Sequence, residues 1–190
     1  MRWIAPLLIT CSLVLAPGAG LAASSVRLAG LDNPEHIRCA RKASATYRVP
    51  LAAVLVVLDV ERGWVGAEQP NTREDGSVHS HDLGPMQIND AAWGRRLAEA
   101  GISREQVRDD ACINIHVGTW ILAGHIADLA HERATTPGEI PLLAEAILRY
   151  HSRTRRFQDR YADLVRAAIE RGLQSITSDR EGATSQGMTQ

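Results

Sequence analysis

One carboxyl group stands out for its placement. Glu61 closes an apolar run, Leu51 to Glu61, and about twenty residues later the chain reads Asp82-Leu83-Gly84-Pro85-Met86-Gln87-Ile88-Asn89. Val54, Val57, Leu58 and Glu61 follow the i, i+3, i+4, i+7 spacing, which puts Glu61 on the apolar stripe of a helix and leaves Asp59 and Arg62 off it. Pro50 suits the first turn of that helix, and Gly63 suits a stop just past the last. A carboxyl there is desolvated and faces the negative end of the helix dipole, and both effects favour the neutral acid. That is what a general acid working near neutral pH requires. The plainer reading is a helix-end carboxylate that reaches water or pairs with an arginine. Arg62 is the obvious partner, but adjacent side chains on a helix diverge by about 100°, so it is expected to face solvent or Asp59.

A general acid whose reaction leaves a positive charge is often paired with a second, ionised carboxylate. Asp75 and Asp82 lie in the segment facing Glu61, and either is a candidate to stabilise a cation. His79, His81 and Asp82 make an H-x-H-D run with metal-ligand chemistry. A third fixed ligand is not evident, so neither a metal nor a cofactor is expected.

The elements that must position these groups read mostly as helices. Asn33-Pro34-Glu35 is a strong helix start, followed by Ile37, Ala40, Ser44 and Tyr47 on one face. Leu55-Val56-Val57-Leu58 has strand propensity, but the Pro and Gly brackets and the length of the run favour helix. Residues 63–88 form a long irregular stretch, with Asp75-Gly76 as a hairpin-turn signal. A loop of that length in a small domain is usually functional, here as a cleft wall with Glu61 at its base. Helices are then expected over 90–100, stopped by Gly101, and after Ser103, which makes a capping box with Gln106. Others are expected over 110–132 and 139–150. The last spans 155–171, with Phe157, Tyr161, Leu164, Val165, Ala168 and Ile169 as its apolar stripe and Gly172 as its end. Residues 174–190 are rich in Ser, Thr, Gly and Gln without apolar period and are expected to be a disordered tail.

The N-terminus has the form of a secretory signal peptide over residues 1–23: Arg2, an apolar run, then Pro17-Gly18-Ala19-Gly20-Leu21-Ala22-Ala23. An uncleaved anchor is the alternative, but the run is short and broken by Pro6 and Pro17. Beyond Ala23 there are 20 basic residues (21 less Arg2) and 22 acidic ones, a net −2 with His neutral. No basic excess points to nucleic acid, and nothing polybasic points to a lipid surface. The remaining length suits one domain over 24–173. Its two cysteines, Cys39 and Cys112, are an even number in an exported chain and are expected to pair; two buried free thiols are the alternative.

The stretch from Val49 through Glu61 to Asn89 resembles the soluble lytic transglycosylase family, which has a lysozyme-like fold and cleaves peptidoglycan glycan strands. The similarity continues through Cys112-Ile113-Asn114-Ile115-His116-Val117-Gly118-Thr119-Trp120-Ile121-Leu122, Tyr150-His151-Ser152 and Tyr161-Ala162. It is closest to the small one-domain members that accompany secretion, pilus and conjugation machines, whose cysteines stand at matching places. The resemblance implies a mainly α fold with a small β-hairpin and irregular loop region, lysozyme-like (α+β). It implies Glu61 as the single acid, a 1,6-anhydro-muramic product, no cofactor, and a periplasmic site of action with no membrane span after signal cleavage. A hydrolytic muramidase and a catalytically weak wall-binding scaffold protein are the rival readings.

On the same resemblance, Gly84, Pro85, Met86 and Gln87 form the ridge opposite Glu61. Glycine allows close backbone approach to the sugar, Met86 gives a deformable apolar contact, and Gln87 offers a donor and an acceptor. Tyr150 matches the tyrosine that faces the acid, with His151 beside it as a substrate-binding candidate. Met86 as plain core and Tyr150 as a buried phenol bonded to backbone are the structural alternatives. The chain departs from its relatives at Pro85, usually Leu; at Arg62, usually Ser; and at Arg153, usually Gly and read here as part of a solvated turn.

Overall fold

In a computed structural model that describes residues 33–186 apart from 136, 137 and 139, Asn33 opens the fold. Its side-chain oxygen accepts a 2.9 Å hydrogen bond from the Glu35 amide, and Pro34 occupies the first turn of α1 (Pro34–Tyr47). The expected signal peptide and residues 187–190 lie outside the described residues. Cys39, Ala40 and Ala43 are buried on α1, and these small side chains let it lie close against α5 (Ala111–Glu132). The Cys39–Cys112 disulfide fastens the two helices at a Cα–Cα distance of 5.1 Å. Closing a loop of this size is worth roughly 4 kcal/mol in the chain-entropy model.

The helix that carries the acid, α2 (Leu51–Glu61), differs from its expected form. Every residue from Ala53 to Asp59 is buried, so it has no single stripe and is a central helix packed on all sides. Asp59 is buried with it, which the helical spacing did not anticipate. Its charge is met by Arg171, whose Nη2 lies 2.7 Å from Asp59 Oδ2. Arg171 belongs to α7 (Arg155–Gln186), so this pair ties the last helix to the helix of the acid.

The stretch expected to be irregular is a three-stranded antiparallel sheet in the order β1-β2-β3: β1 (Glu68–Thr72), β2 (Val78–Leu83) and β3 (Ile88–Asn89). Asp75-Gly76 makes the expected hairpin turn. Gly76 takes φ 82°, and Asp75 Oδ1 accepts hydrogen bonds from the Ser77 amide and hydroxyl. The sheet is anchored from outside by charges: Arg104 and Arg108 reach Glu68 at 2.7 and 3.2 Å, and Arg104 also reaches Asp90 at 3.1 Å.

Beyond the sheet come α3 (Asp90–Glu99) and α4 (Arg104–Asp109), the latter opened by the expected Ser103–Gln106 capping box. Asp110 caps α5 by accepting from the Ile113 amide at 2.9 Å. Helix α6 (Leu142–His151) starts later than expected because Pro141 stands at its N-cap.

The last helix departs furthest from its sequence pattern. Its buried face is Gln158, Tyr161 and Ala168, while Phe157, Leu164 and Ile169 are 46 %, 50 % and 44 % exposed. Gly172 does not end it: α7 runs to Gln186, where a tail was expected. Glycine inside a helix costs only about 1 kcal/mol relative to alanine, which is not by itself a stop. The architecture is mainly helical with a small sheet, and α5 lies at its centre through Ile115, Val117, Ile121, Leu122 and Leu129.

Candidate active site

Arg62 ends α2, and Gly63 lets the ridge approach. Arg62 takes the left-handed conformation (φ 51°) and donates its amide to Leu58 O. A Cβ on Gly63 would collide with the Gly84 carbonyl and the Gln87 side-chain amide, so here glycine serves close approach, not positive φ. The Gly63 amide donates to Pro85 O at 3.1 Å, clamping the 84–87 turn to the end of the acid's helix. Gly84 (φ 65°) and Gln87 (φ 50°) make that turn.

Asn114 of α5 organises the ridge from beneath. Its side-chain oxygen accepts from the Met86 amide at 2.7 Å, and its Nδ2 donates to Leu83 O and Val107 O at 2.8 Å each. A Cβ on Gly84 would strike Asn114, so glycine is needed there for space as well as for φ. Gly84, Pro85 and Met86 are all buried, and the Met86 side chain packs against Gly118. Of the four residues expected to meet the sugar, only Gln87 lines the cleft. The other three shape its floor, because a turn bonded through its backbone on both sides keeps its small and apolar groups inside.

The cleft has a volume of about 620 Å³, within the usual range for ligand sites. Glu61 and Gln87 lie on one side, with Tyr150, His151 and Phe157. Ser80, Asp82 and Asn89 of the sheet and Trp93 of α3 form the rest. Asp75 sits at the hairpin tip and does not line it, so Asp82 is the second carboxylate of the cleft. Asn89 Nδ2 holds Asp82 Oδ1 at 2.8 Å. His81 is turned to Asp90, its Nδ1 3.3 Å from Oδ2, while His79 lines the cleft. Among the described residues, the one group of three candidate metal ligands is Glu35, Cys39 and Cys112, where the sulfurs are joined to each other.

Glu61 is half-buried, and burial is the main cause that pushes its carboxyl up to about 7. Tyr161 opposes this by donating its hydroxyl to Glu61 Oε1 at 2.7 Å, and the Asp82 charge adds to it. Among the described residues Oε2 has no protein partner. Tyr150, the expected partner of the acid, instead donates to the Met86 carbonyl at 2.9 Å. His151 stacks on Tyr161 with centroids 4.5 Å apart and ring planes at 3°. Burial lowers the His151 pKa, so its ring is neutral near pH 7. Arg62 is exposed and donates Nε to the Asp59 carbonyl at 3.0 Å, away from Glu61.

Sequence reasoning missed Tyr161 as a site residue, although one signal was available. A phenol on the buried face of a helix must find an acceptor. It also missed Asn114, Asn89 and Trp93, and it placed Phe157 in the core although that ring is on the cleft wall.

Residues 38–152 match the family model described as Transglycosylase SLT domain, which is more than half of the chain. The matched segment contains Glu61 and ends one residue after α6; Tyr161 lies beyond it. No curated protein matches the chain.

Proposed function

The chain belongs to the transglycosylase SLT domain family, which acts on peptidoglycan, and on that premise we propose that it is a lytic transglycosylase cleaving the MurNAc–GlcNAc β-1,4 bond to leave a 1,6-anhydro-muramic end. The observation that carries this reading is Glu61: a carboxyl that lines a large cleft and whose pKa burial pushes up to about 7.

Neutral Glu61 donates its proton to the glycosidic oxygen as the bond from that oxygen to the muramyl C1 breaks. The neighbouring N-acetyl carbonyl supports the positive charge at C1. The resulting Glu61 carboxylate then takes the proton of the sugar's own 6-hydroxyl as that oxygen bonds to C1, which returns the acid to its starting state. Tyr161 holds one carboxyl oxygen in place and leaves the other for proton transfer. Tyr150 and Asn114 fix the ridge; Gln87 Nε2 donates to Gly84 O at 2.9 Å, and its Oε1 is left to accept from the sugar. Arg62 faces away from the acid, which supports a competent catalyst over a weak wall-binding scaffold protein.

The second reading is a muramidase in which water replaces the 6-hydroxyl, and Asp82 in the cleft is the observation that favours it. We further propose that residues 1–23 are a signal peptide, that the domain acts in the periplasm, and that it opens the wall locally for a secretion, pilus or conjugation apparatus. No helix among the described residues is long and apolar enough to cross a membrane. Purified cell walls test the assignment: wild-type protein should clear them, and Glu61→Gln, which keeps the shape but has no transferable proton, should not. Clearing by Glu61→Gln at a rate comparable with wild type would remove Glu61 as the acid.

A further inference from the structure

A second basin adjoins the catalytic cleft and shares Ala92, Trp93 and Ile121 with it. It lies between α3 and α5 and has a volume of about 570 Å³. Its lining carries three guanidinium groups, Arg95, Arg96 and Arg153, against one carboxylate, Asp128. Arg153 reaches Asp128 at 3.2 Å and Arg95 reaches Glu99 at 3.1 Å, both as solvent-exposed pairs. A guanidinium has five donors, so each keeps others for a ligand. Arg96 lies over the Trp93 ring, 5.4 Å from its centroid. His125, only 8 % exposed, closes the wall of the basin.

We infer that this basin is a binding site for carboxylate groups on the peptide stem that branches from the muramyl sugar. The arginines receive the carboxylates. The inference rests on the wall-glycan reading above. Continuity is what selects a stem peptide over an acidic segment of another protein, because the basin and the catalytic cleft share Ala92, Trp93 and Ile121. Three guanidiniums against Asp128 and the neighbouring Glu99 leave a net positive charge, which matches a carboxylate-rich branch and would contribute little to a neutral glycan.

The test uses the stem peptide released from walls by an amidase, titrated into the mature protein, together with cleavage of peptide-bearing and peptide-stripped glycan strands. Wild-type protein should bind the peptide saturably. Arg95→Gln combined with Arg153→Gln should weaken binding roughly ten-fold. The same variant should lose roughly ten-fold in kcat/KM on peptide-bearing strands and nothing on stripped strands. Failure of the wild type to bind, equal binding by the variant, or equal loss on both strands would overturn the inference. Wild-type protein that binds the peptide but cleaves neither strand would instead leave the basin standing and overturn the transglycosylase reading.

Discussion

Tyr161 donates its hydroxyl to Glu61 Oε1 at 2.7 Å across 100 residues of sequence, so the final helix supplies the nearest partner of the acid that ends the second. The bond accepts on the carboxyl and therefore favours its charged form, opposing the burial that favours the neutral one. The same two helices, α2 and α7, are also tied by Asp59 and Arg171.

The first prediction follows from the sign of that bond. Tyr161→Phe removes the influence that lowers the Glu61 pKa, so the pKa should rise further above about 7. The proton-donating form then persists to higher pH, and the basic limb of the pH–rate profile moves up. The maximal rate should nonetheless fall, roughly ten-fold, because the carboxyl loses its positioning contact. A basic limb that stayed in place or moved down would show that Tyr161 does not act through Glu61.

A second prediction concerns stability. The folded-state pKa of Glu61 is raised from 4.5 to about 7, so the native protein binds more protons than the unfolded chain between those values. Stability from this group is full below about 4.5 and is lost as pH rises through about 7. Glu61→Gln carries no such penalty. It should match wild type near pH 5 and exceed it by roughly 1–3 kcal/mol near pH 8 in urea unfolding. A difference independent of pH would contradict the raised pKa.

The Asp59–Arg171 pair leads to a third. The Asp59 side chain is fully buried and its Oδ1 has no partner, so removing the arginine leaves a charge with no counterpart. Arg171→Leu should cost roughly 2–4 kcal/mol, less than a fully buried pair because Arg171 is partly exposed. The double variant Asp59→Leu with Arg171→Leu should recover most of it. Additive losses in a double-mutant cycle would mean that the two side chains do not interact.

Much of this was legible locally, and the reasons are physical. The caps at Asn33 and Ser103, the turn at Asp75-Gly76 and the acid at the end of α2 are all written in residues a few positions apart. The disulfide was legible from cysteine number and from the resemblance, and α1 against α5 realises it. What was not legible depends on contacts distant in sequence. Asn114 bonds to residues 28 and 31 positions away, so nothing near it announced the ridge it supports. Met86 looked like a sugar contact because its motif faces the acid, yet bonds on both its backbone groups turn its side chain inward. The stripe expected on α7 holds at Tyr161, Val165 and Ala168 and fails at Phe157, Leu164 and Ile169; Phe157 faces an open cleft, where an aromatic ring has a use other than burial.

Arg62 carries a fourth prediction. It occupies a left-handed cap position, and its guanidinium meets a backbone carbonyl rather than the acid. Arg62→Gly should stabilise the protein by roughly 0.5–1 kcal/mol, since glycine takes that conformation without strain. Arg62→Ser should leave the pH–rate profile nearly unchanged. A clear gain of activity near neutral pH in Arg62→Ser would mean that the guanidinium restrains Glu61.

The central claim is that the acid at Glu61 returns its proton through the sugar's own 6-hydroxyl. Mass spectrometry of the soluble fragments from digested sacculi tests it most directly, because the two chemistries differ by one water. Wild-type protein should release fragments ending in 1,6-anhydro-muramic acid, and Glu61→Gln should release none. Fragments ending only in reducing muramic acid would contradict it and assign the cleft to a hydrolase that uses Asp82 and water.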